Sequence, residues 1–273
     1  MKNKEFNNLQ MMMDIKVPMS DGVTLSTNVY LPKNNIPCPV ILQRSPYGTN
    51  TEDMVKEAIN FVKEGYGVVL QDVRGRWDSD GEWYPFINEA KDGYETQEWI
   101  GSQDWCDGNI GTIGASYLAM AQWQTAALNS KVSYSNFYHD WVYTGGAFQL
   151  AFNLRWIGIQ MNTRTNQLQY LWMPKENHLN EIMKHLPLIE MDSKAGRSSK
   201  PWKEWIEHPT YDNYWKDLNP IEENYEKISV PVLGISAWYD IFLQGTLNNY
   251  IGVKSKGISP GKDNQKLLIG PWM

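Results

Sequence analysis

Apolar and polar positions alternate with period two near the start of the chain, in Ile15-Lys16-Val17 and again in Val23-Thr24-Leu25-Ser26-Thr27-Asn28-Val29-Tyr30. Ser20-Asp21-Gly22 separates the two runs, which together predict an antiparallel hairpin. Residues 39–43 form a short apolar run of the buried-strand type. Between residues 52 and 64, Met54, Val55, Ala58, Ile59 and Val62 follow helical spacing, and Gly65-Tyr66-Gly67 stops the helix. Residues 68–72 are a second buried-type strand, and residues 73–88, with Gly75, Gly81 and Pro85, read as loop. A helix over 89–101, a strand over 110–114, a helix over 117–128 and a strand over 132–138 follow.

This alternation predicts an α/β protein with a mainly parallel sheet and helices on both faces. The rhythm breaks after residue 144. Residues 145–224 carry helical patterns, no clear strand and polar connectors such as Ser193-Lys194-Ala195-Gly196. They read as an inserted helical cap. A strand over 230–235, a helix near 241–252 and a strand over 266–269 resume the sheet pattern. The expected organisation is a core in two parts, 1–144 and 225–273, with a cap over 145–224.

Composition narrows the function classes. The 273 residues hold 25 basic and 31 acidic side chains, a formal charge of −6 without a basic stripe, which argues against nucleic acid as the partner. Two cysteines, Cys38 and Cys106, make neither a disulfide framework nor a metal cluster. No apolar run reaches the roughly 20 residues of a membrane span, and none behind the amino terminus suits a signal peptide, so a cytoplasmic protein is expected. Thirteen Trp, 15 Tyr and 7 Phe are scattered without a fixed interval. They suit a pocket wall, an interface or plain core filling.

Three places carry candidate chemistry. Gly114-Ala115-Ser116 sits where a strand gives way to a helix, which would raise the serine hydroxyl beside a helix amino terminus. Helix capping is the plainer role for such a serine. Asp240 follows a buried strand, where it could orient a base or cap the next helix. Arg44-Ser45-Pro46-Tyr47-Gly48 follows another strand, at the sheet edge where ligands bind, although alone it reads as a turn. Asp72, Arg74, Asp78 and Asp80 read as an Arg–Asp scaffold for their loop.

Taken in order, the surrounding words resemble the family of X-Pro dipeptidyl-peptidases, cocaine esterase, glutaryl-cephalosporin acylases and α-amino-acid ester hydrolases. The words are Asp21-Gly22-Val23-Thr24-Leu25, Arg44-Ser45-Pro46-Tyr47-Gly48, Asp72-Val73-Arg74-Gly75-Arg76-Trp77-Asp78-Ser79-Asp80-Gly81, Gly114-Ala115-Ser116-Tyr117-Leu118, Gly145-Gly146-Ala147-Phe148, His208-Pro209-Thr210-Tyr211-Asp212, Trp238-Tyr239-Asp240 and Ile269-Gly270-Pro271-Trp272. The resemblance implies an α/β-hydrolase core with a helical cap and a serine hydrolase acting on ester or amide bonds. It implies Ser116 as nucleophile, Asp240 as triad acid, and the Tyr47 hydroxyl with the Tyr117 backbone N–H as oxyanion hole. Trp141, Phe148 and Trp156 are expected to help line the cleft. No cofactor or metal is implied, and the substrate would be a small ester, amide or short peptide. An X-Pro dipeptidyl-peptidase is the alternative within the class.

The chain departs from the family pattern in two respects. Ala119 stands where the family elbow often has glycine, and the catalytic histidine expected after Gly270-Pro271-Trp272-Met273 is not among the 273 residues, nor is the family's carboxy-terminal β-sandwich. An impaired fragment or a catalytically silent domain is therefore the expectation for this chain. The four histidines present, His139, His178, His185 and His208, all precede Asp240. Three residues after it, Ile241, Phe242 and Leu243, are apolar, which argues against an anchor there for a substrate ammonium group.

Overall fold

The hairpin predicted at the start forms from β1 (Leu9–Pro18) and β2 (Thr24–Pro32), paired antiparallel from Leu9↔Pro32 to Pro18↔Thr24. A bulge between Met12 and Ile15 puts Asp14 at φ 55°, where its N–H is taken by Asn28 Oδ1 at 2.9 Å. Three parallel strands follow, β3 (Cys38–Ser45), β4 (Gly67–Asp72) and β5 (Cys106–Thr112), and the five lie in the order β1-β2-β4-β3-β5. The computed structural model describes residues 8–126, 136–161, 163–165, 176–218 and 221–272. They fall in two compact units, 1–125 and 126–273.

In the first unit the two sheet faces are filled by alternate residues of the same strands. Tyr30, Val68 and Leu70 pack with Ala58 and Val62 of α1 (Glu52–Lys63). Val29, Leu42 and Val69 pack with Ile100 of α2 (Glu89–Gly101). Each Val, Leu or Ile among them contributes about 1.5–3 kcal/mol on burial. Thr51 caps α1 by accepting from the Met54 N–H. β5 begins four residues before the expected strand, because pairing of Cys38 with Cys106 recruits the polar, glycine-bearing stretch Cys106-Asp107-Gly108-Asn109.

The second unit is mostly helical up to residue 217. Its short pieces include π-helical Tyr138–Val142 and Leu154–Gln160 and the α-helices Lys200–Glu207 and Asn213–Asp217. Two expectations need correction. Residues 132–135 lie outside the described residues, but Phe137 and Tyr138 are helical, not extended. Asn136 starts that helix by reciprocal bonds: its Oδ1 accepts from the His139 N–H, and its own N–H donates to Asp140 Oδ2. The cap region also holds extended structure at its beginning. Ala147–Phe148 (β7) pairs with Tyr143–Thr144 (β6) across Gly145-Gly146, both at positive φ as a tight two-residue turn requires.

Five of the tryptophans are core, while Trp238 and Trp272 are exposed. Trp141, Trp156, Trp202, Trp205 and Trp215 are all buried, and Trp156 stacks on Trp205 at 6.2 Å and 12°. The unit ends in a parallel pair, β8 (Val232–Ala237) and β9 (Gln265–Gly270), joined through the helix Leu243–Lys256. Gly252 of that helix lies against the Tyr225 ring. Among the described residues, no helix is long and apolar enough to cross a membrane.

Candidate active site

β5 ends at Thr112, and the Ile113 N–H still bonds the Leu42 carbonyl. The chain then turns through Gly114-Ala115-Ser116 into α3 (Tyr117–Ala126). Ser116 has φ 56°, left-handed backbone that costs a non-glycine residue about 1–3 kcal/mol. Gly114 permits the turn, since a β-carbon there would lie 2.4 Å from Leu118 Cβ. The carbonyls of Ala115 and Ser116 accept from the N–H groups of Leu118 and Met120, which ties the turn to the first helical turn. The serine side is exposed while Tyr117 and Leu118 are buried. A strained strand–turn–helix of this kind lifts a side-chain hydroxyl clear of the sheet.

Tyr47 follows the end of β3, and its ring meets that of Tyr117 edge-on at 6.4 Å. Its N–H donates to Ser45 Oγ, and the preceding Pro46 carbonyl accepts from Arg76 Nε at 2.9 Å. The two predicted oxyanion residues are therefore neighbours, one of them adjoining Ser116.

Under the elbow lies a buried set of charges. Arg44 pairs with Glu89 (2.7 Å), and Glu89 Oε1 accepts from the Tyr117 hydroxyl (2.7 Å). Arg74 grips buried Asp92 through Nε and Nη2 (2.9 and 2.6 Å) and reaches Asp21 (2.7 Å). Arg74 thus pairs outside its own loop, and Asp80 instead accepts from Thr24 Oγ1. Burial pushes Asp72 up to about 7, against bonds from Thr49 and the Asp78 backbone that lower it. Nothing in residue spacing pointed to Glu89; it opens α2, far along the chain from both Arg44 and Tyr117.

Asp240 lies three residues beyond β8. Its carboxylate accepts from Ser236 Oγ and from the Phe242 N–H, each at 2.9 Å. These bonds fix its orientation. Phe242 in turn stacks on Trp141 at 4.8 Å, and Trp141 packs on Trp156 at 4.7 Å. Trp141 and Trp156 are 2% and 5% exposed, so they form core beside the Asp240 turn. Phe148 sits elsewhere in that unit, against Trp202 and Tyr143. His139 packs on Tyr211, His185 faces Glu190 at 3.3 Å, and His208 Nδ1 meets Asp212 at 2.7 Å. The His178 side chain lies outside the described residues. Among the described residues, no cluster of His, Cys, Asp and Glu has the form of a metal site.

Comparison with known proteins agrees with this architecture. Cocaine esterase from Rhodococcus sp. (strain MB1 Bresler) is 31% identical over 286 residues, covering 95% of this chain and 48% of the esterase. An aminopeptidase structure from the marine sediment archaeon Thaumarchaeota archaeon superposes with a TM-score of 0.78 at 22% identity, over 97% of this chain and 48% of that one. An α-amino acid ester hydrolase gives 0.73 at 22% identity, with the same shares covered. The structural likenesses establish the α/β-hydrolase type of fold. The chain spans about half the length of these relatives. The model of the X-Pro dipeptidyl-peptidase (S15 family) matches residues 21–273, so the chain belongs to that family of hydrolases.

Proposed function

We propose that the chain is the nucleophile-bearing part of a serine hydrolase that opens ester or amide bonds through an acyl-enzyme on Ser116. The observation that carries this reading is the left-handed backbone of Ser116 between β5 and α3, in a turn where Gly114 leaves room for Leu118. Ser116 Oγ attacks the substrate carbonyl carbon as its proton passes to an imidazole base, supplied as free imidazole in the test below, which then gives a proton to the leaving alcohol or amine. The oxygen that becomes negative is met by the Tyr117 N–H, at the positive end of α3, and by the Tyr47 hydroxyl. The leaving alcohol or amine departs, and water then releases the acyl group from Ser116. Asp240 serves to orient and stabilise an imidazolium, the role of the acid in such triads. Within the second unit, Trp141 and Trp156 back the Asp240 turn through Phe242.

Acyl groups without a free α-ammonium group fit better than those that carry one. Asp240 is followed by Ile241, Phe242 and Leu243, and Phe242 is engaged with Trp141, so no carboxylate stands there to pair with a cation. A second reading, a domain that binds without turnover, draws on the histidines. His185 and His208 have carboxylate partners of their own, Glu190 and Asp212.

The test is hydrolysis of p-nitrophenyl acetate and butyrate, and of matching p-nitroanilides, with and without free imidazole. The hydrolase reading expects a weak ester activity that imidazole raises, that Ser116→Ala abolishes, and whose imidazole-dependent part Asp240→Ala removes. Activity unchanged in Ser116→Ala would refute the acyl-enzyme. Binding of the ester with no Ser116-dependent release under either condition supports the silent domain.

A further inference from the structure

We propose that Glu89, held by Arg44, is a positioning residue for the oxyanion-stabilising groups beside Ser116, acting through the side chain of Tyr117. The inference rests on the serine-hydrolase reading and concerns what aims its donors.

Tyr117 would serve the reaction through its backbone N–H alone, yet its side chain is the most constrained at the elbow. The ring is fully buried and stacked on Phe86 at 4.2 Å and 20°. Its hydroxyl accepts from Trp83 Nε1 and from the Phe86 N–H, each at 3.3 Å, and donates to Glu89 Oε1 at 2.7 Å. One donor and two acceptor positions exhaust a hydroxyl, so this one has a single orientation left. Burial and the adjacent Glu89 push its proton affinity well up, so it remains a donor at any ordinary pH. Fixing the far end of the ring fixes the Cα of residue 117, and with it the first amide of α3.

The other end of the chain of contacts leads to Tyr47. Arg44 faces Glu89 at 2.7 Å, donates to the Glu89 carbonyl at 2.9 Å and to Gln71 Oε1 at 2.8 Å, and precedes Tyr47 by three residues on β3 and its outgoing loop. A second route runs from the Pro46 carbonyl through Arg76 Nε, whose guanidinium lies 5.2 Å over the Trp83 ring, and from Trp83 to the same Tyr117 hydroxyl. The Tyr47 loop and the Tyr117 amide are thus joined twice, within one unit. A buried ion pair adds little net stability compared with apolar packing, because both charges lose their hydration. Phenylalanine at 117 with apolar side chains in place of Glu89 and Arg44 would fill the same space with no buried charge to satisfy. The arrangement fits holding two donors in register better than it fits core stability.

The experiment uses the 273-residue protein with imidazole supplied. Rates on p-nitrophenyl butyrate give kcat and KM, and phenylboronic acid affinity reports the tetrahedral adduct on Ser116 without turnover. The variants are Tyr117→Phe, Glu89→Gln and Ser116→Ala, with the thermal midpoint measured for each. Tyr117→Phe should lower kcat about tenfold and weaken boronate binding by a similar factor, with KM changed less than about twofold. Glu89→Gln, which still accepts the hydroxyl but loses the ion pair, should fall between. If Tyr117→Phe proves unable to fold, Trp83→Phe removes one donor to the same hydroxyl and should shift both readouts in the same direction. Unchanged kcat and boronate affinity in folded Tyr117→Phe, or in Trp83→Phe where that variant is needed, with Ser116→Ala inactive, overturns the positioning role alone. If Ser116→Ala matches the unaltered protein in both readouts, the serine-hydrolase reading falls and takes this inference with it.

Discussion

Gly48 lies flat against the indole of Trp77, so close that a β-carbon on residue 48 would stand 2.7 Å from Trp77 Cε2. Its φ of 95° is also one that side chains rarely adopt. The residue before it is Tyr47. Gly48→Ala should therefore cost about 1–3 kcal/mol of stability and displace the Tyr47 loop. Urea denaturation checks the first effect and the Ser116-dependent ester rate the second. A variant with unaltered midpoint and rate would show that the loop absorbs the methyl group.

Asp72 supplies a pH dependence. Burial raises its native value to about 7, well above the ordinary carboxylate value of about 3.9. The native state therefore holds a proton that the unfolded chain gives up first. This contribution to stability is complete below about pH 4, declines as pH rises to about 7, and stays lost above it. Asp72→Asn keeps the neutral shape. Its stability relative to the unaltered protein should climb between pH 5 and pH 8, by on the order of 2–4 kcal/mol at most. Matched urea midpoints at the two pH values give the sign, and a relative decline for Asn would contradict it.

Gly252 makes a second close approach. A β-carbon there would overlap the Tyr225 ring, with Cε2 at 2.0 Å, and Tyr225 is itself held by its hydroxyl bond to Asn249 Oδ1 at 3.2 Å. Alanine is otherwise the better helix former by about 1 kcal/mol. Crowding should win, and Gly252→Ala should destabilise by about 1–3 kcal/mol. Tyr225→Leu in the same chain should recover part of the loss. A gain in thermal midpoint from Gly252→Ala alone would mean that the helix and ring separate readily.

Arg74→Met tests the buried charges. It removes both bonds to Asp92, which is fully buried, and the contact with Asp21. Asp92 keeps only the looser approach of Arg44 Nη2 at 3.9 Å, so the poorly paired buried carboxylate should cost up to about 3–5 kcal/mol. Asp92→Asn added to Arg74→Met should restore part of that, because it removes the orphaned charge. If the double variant is weaker than Arg74→Met, the cost lies in lost packing of the arginine stem.

The elements of the first unit were legible because their signals are local. Period-two runs gave β2 and the end of β1, the spacing from Met54 to Val62 gave α1, and Gly114-Ala115-Ser116 marked the elbow. β5 was harder to delimit, since Cys106 to Asn109 is polar and becomes strand only by pairing with β3. Arg44, Glu89 and Tyr117 come from three separate elements, and no spacing rule joins them. Residue type also cannot separate cleft wall from core. Trp141, Trp156 and Phe148 suited either, and solvent exposure together with the Phe242 stacking assigns the two tryptophans to the core.

Ser116 carries a final consequence for anyone seeking hardier variants. Its backbone favours glycine, so Ser116→Gly should relieve strain and raise the melting temperature while deleting the hydroxyl. A library sorted on heat resistance alone would enrich the change that, under the proposed acyl-enzyme mechanism, removes the nucleophile. Selection on this scaffold has to score turnover and endurance together.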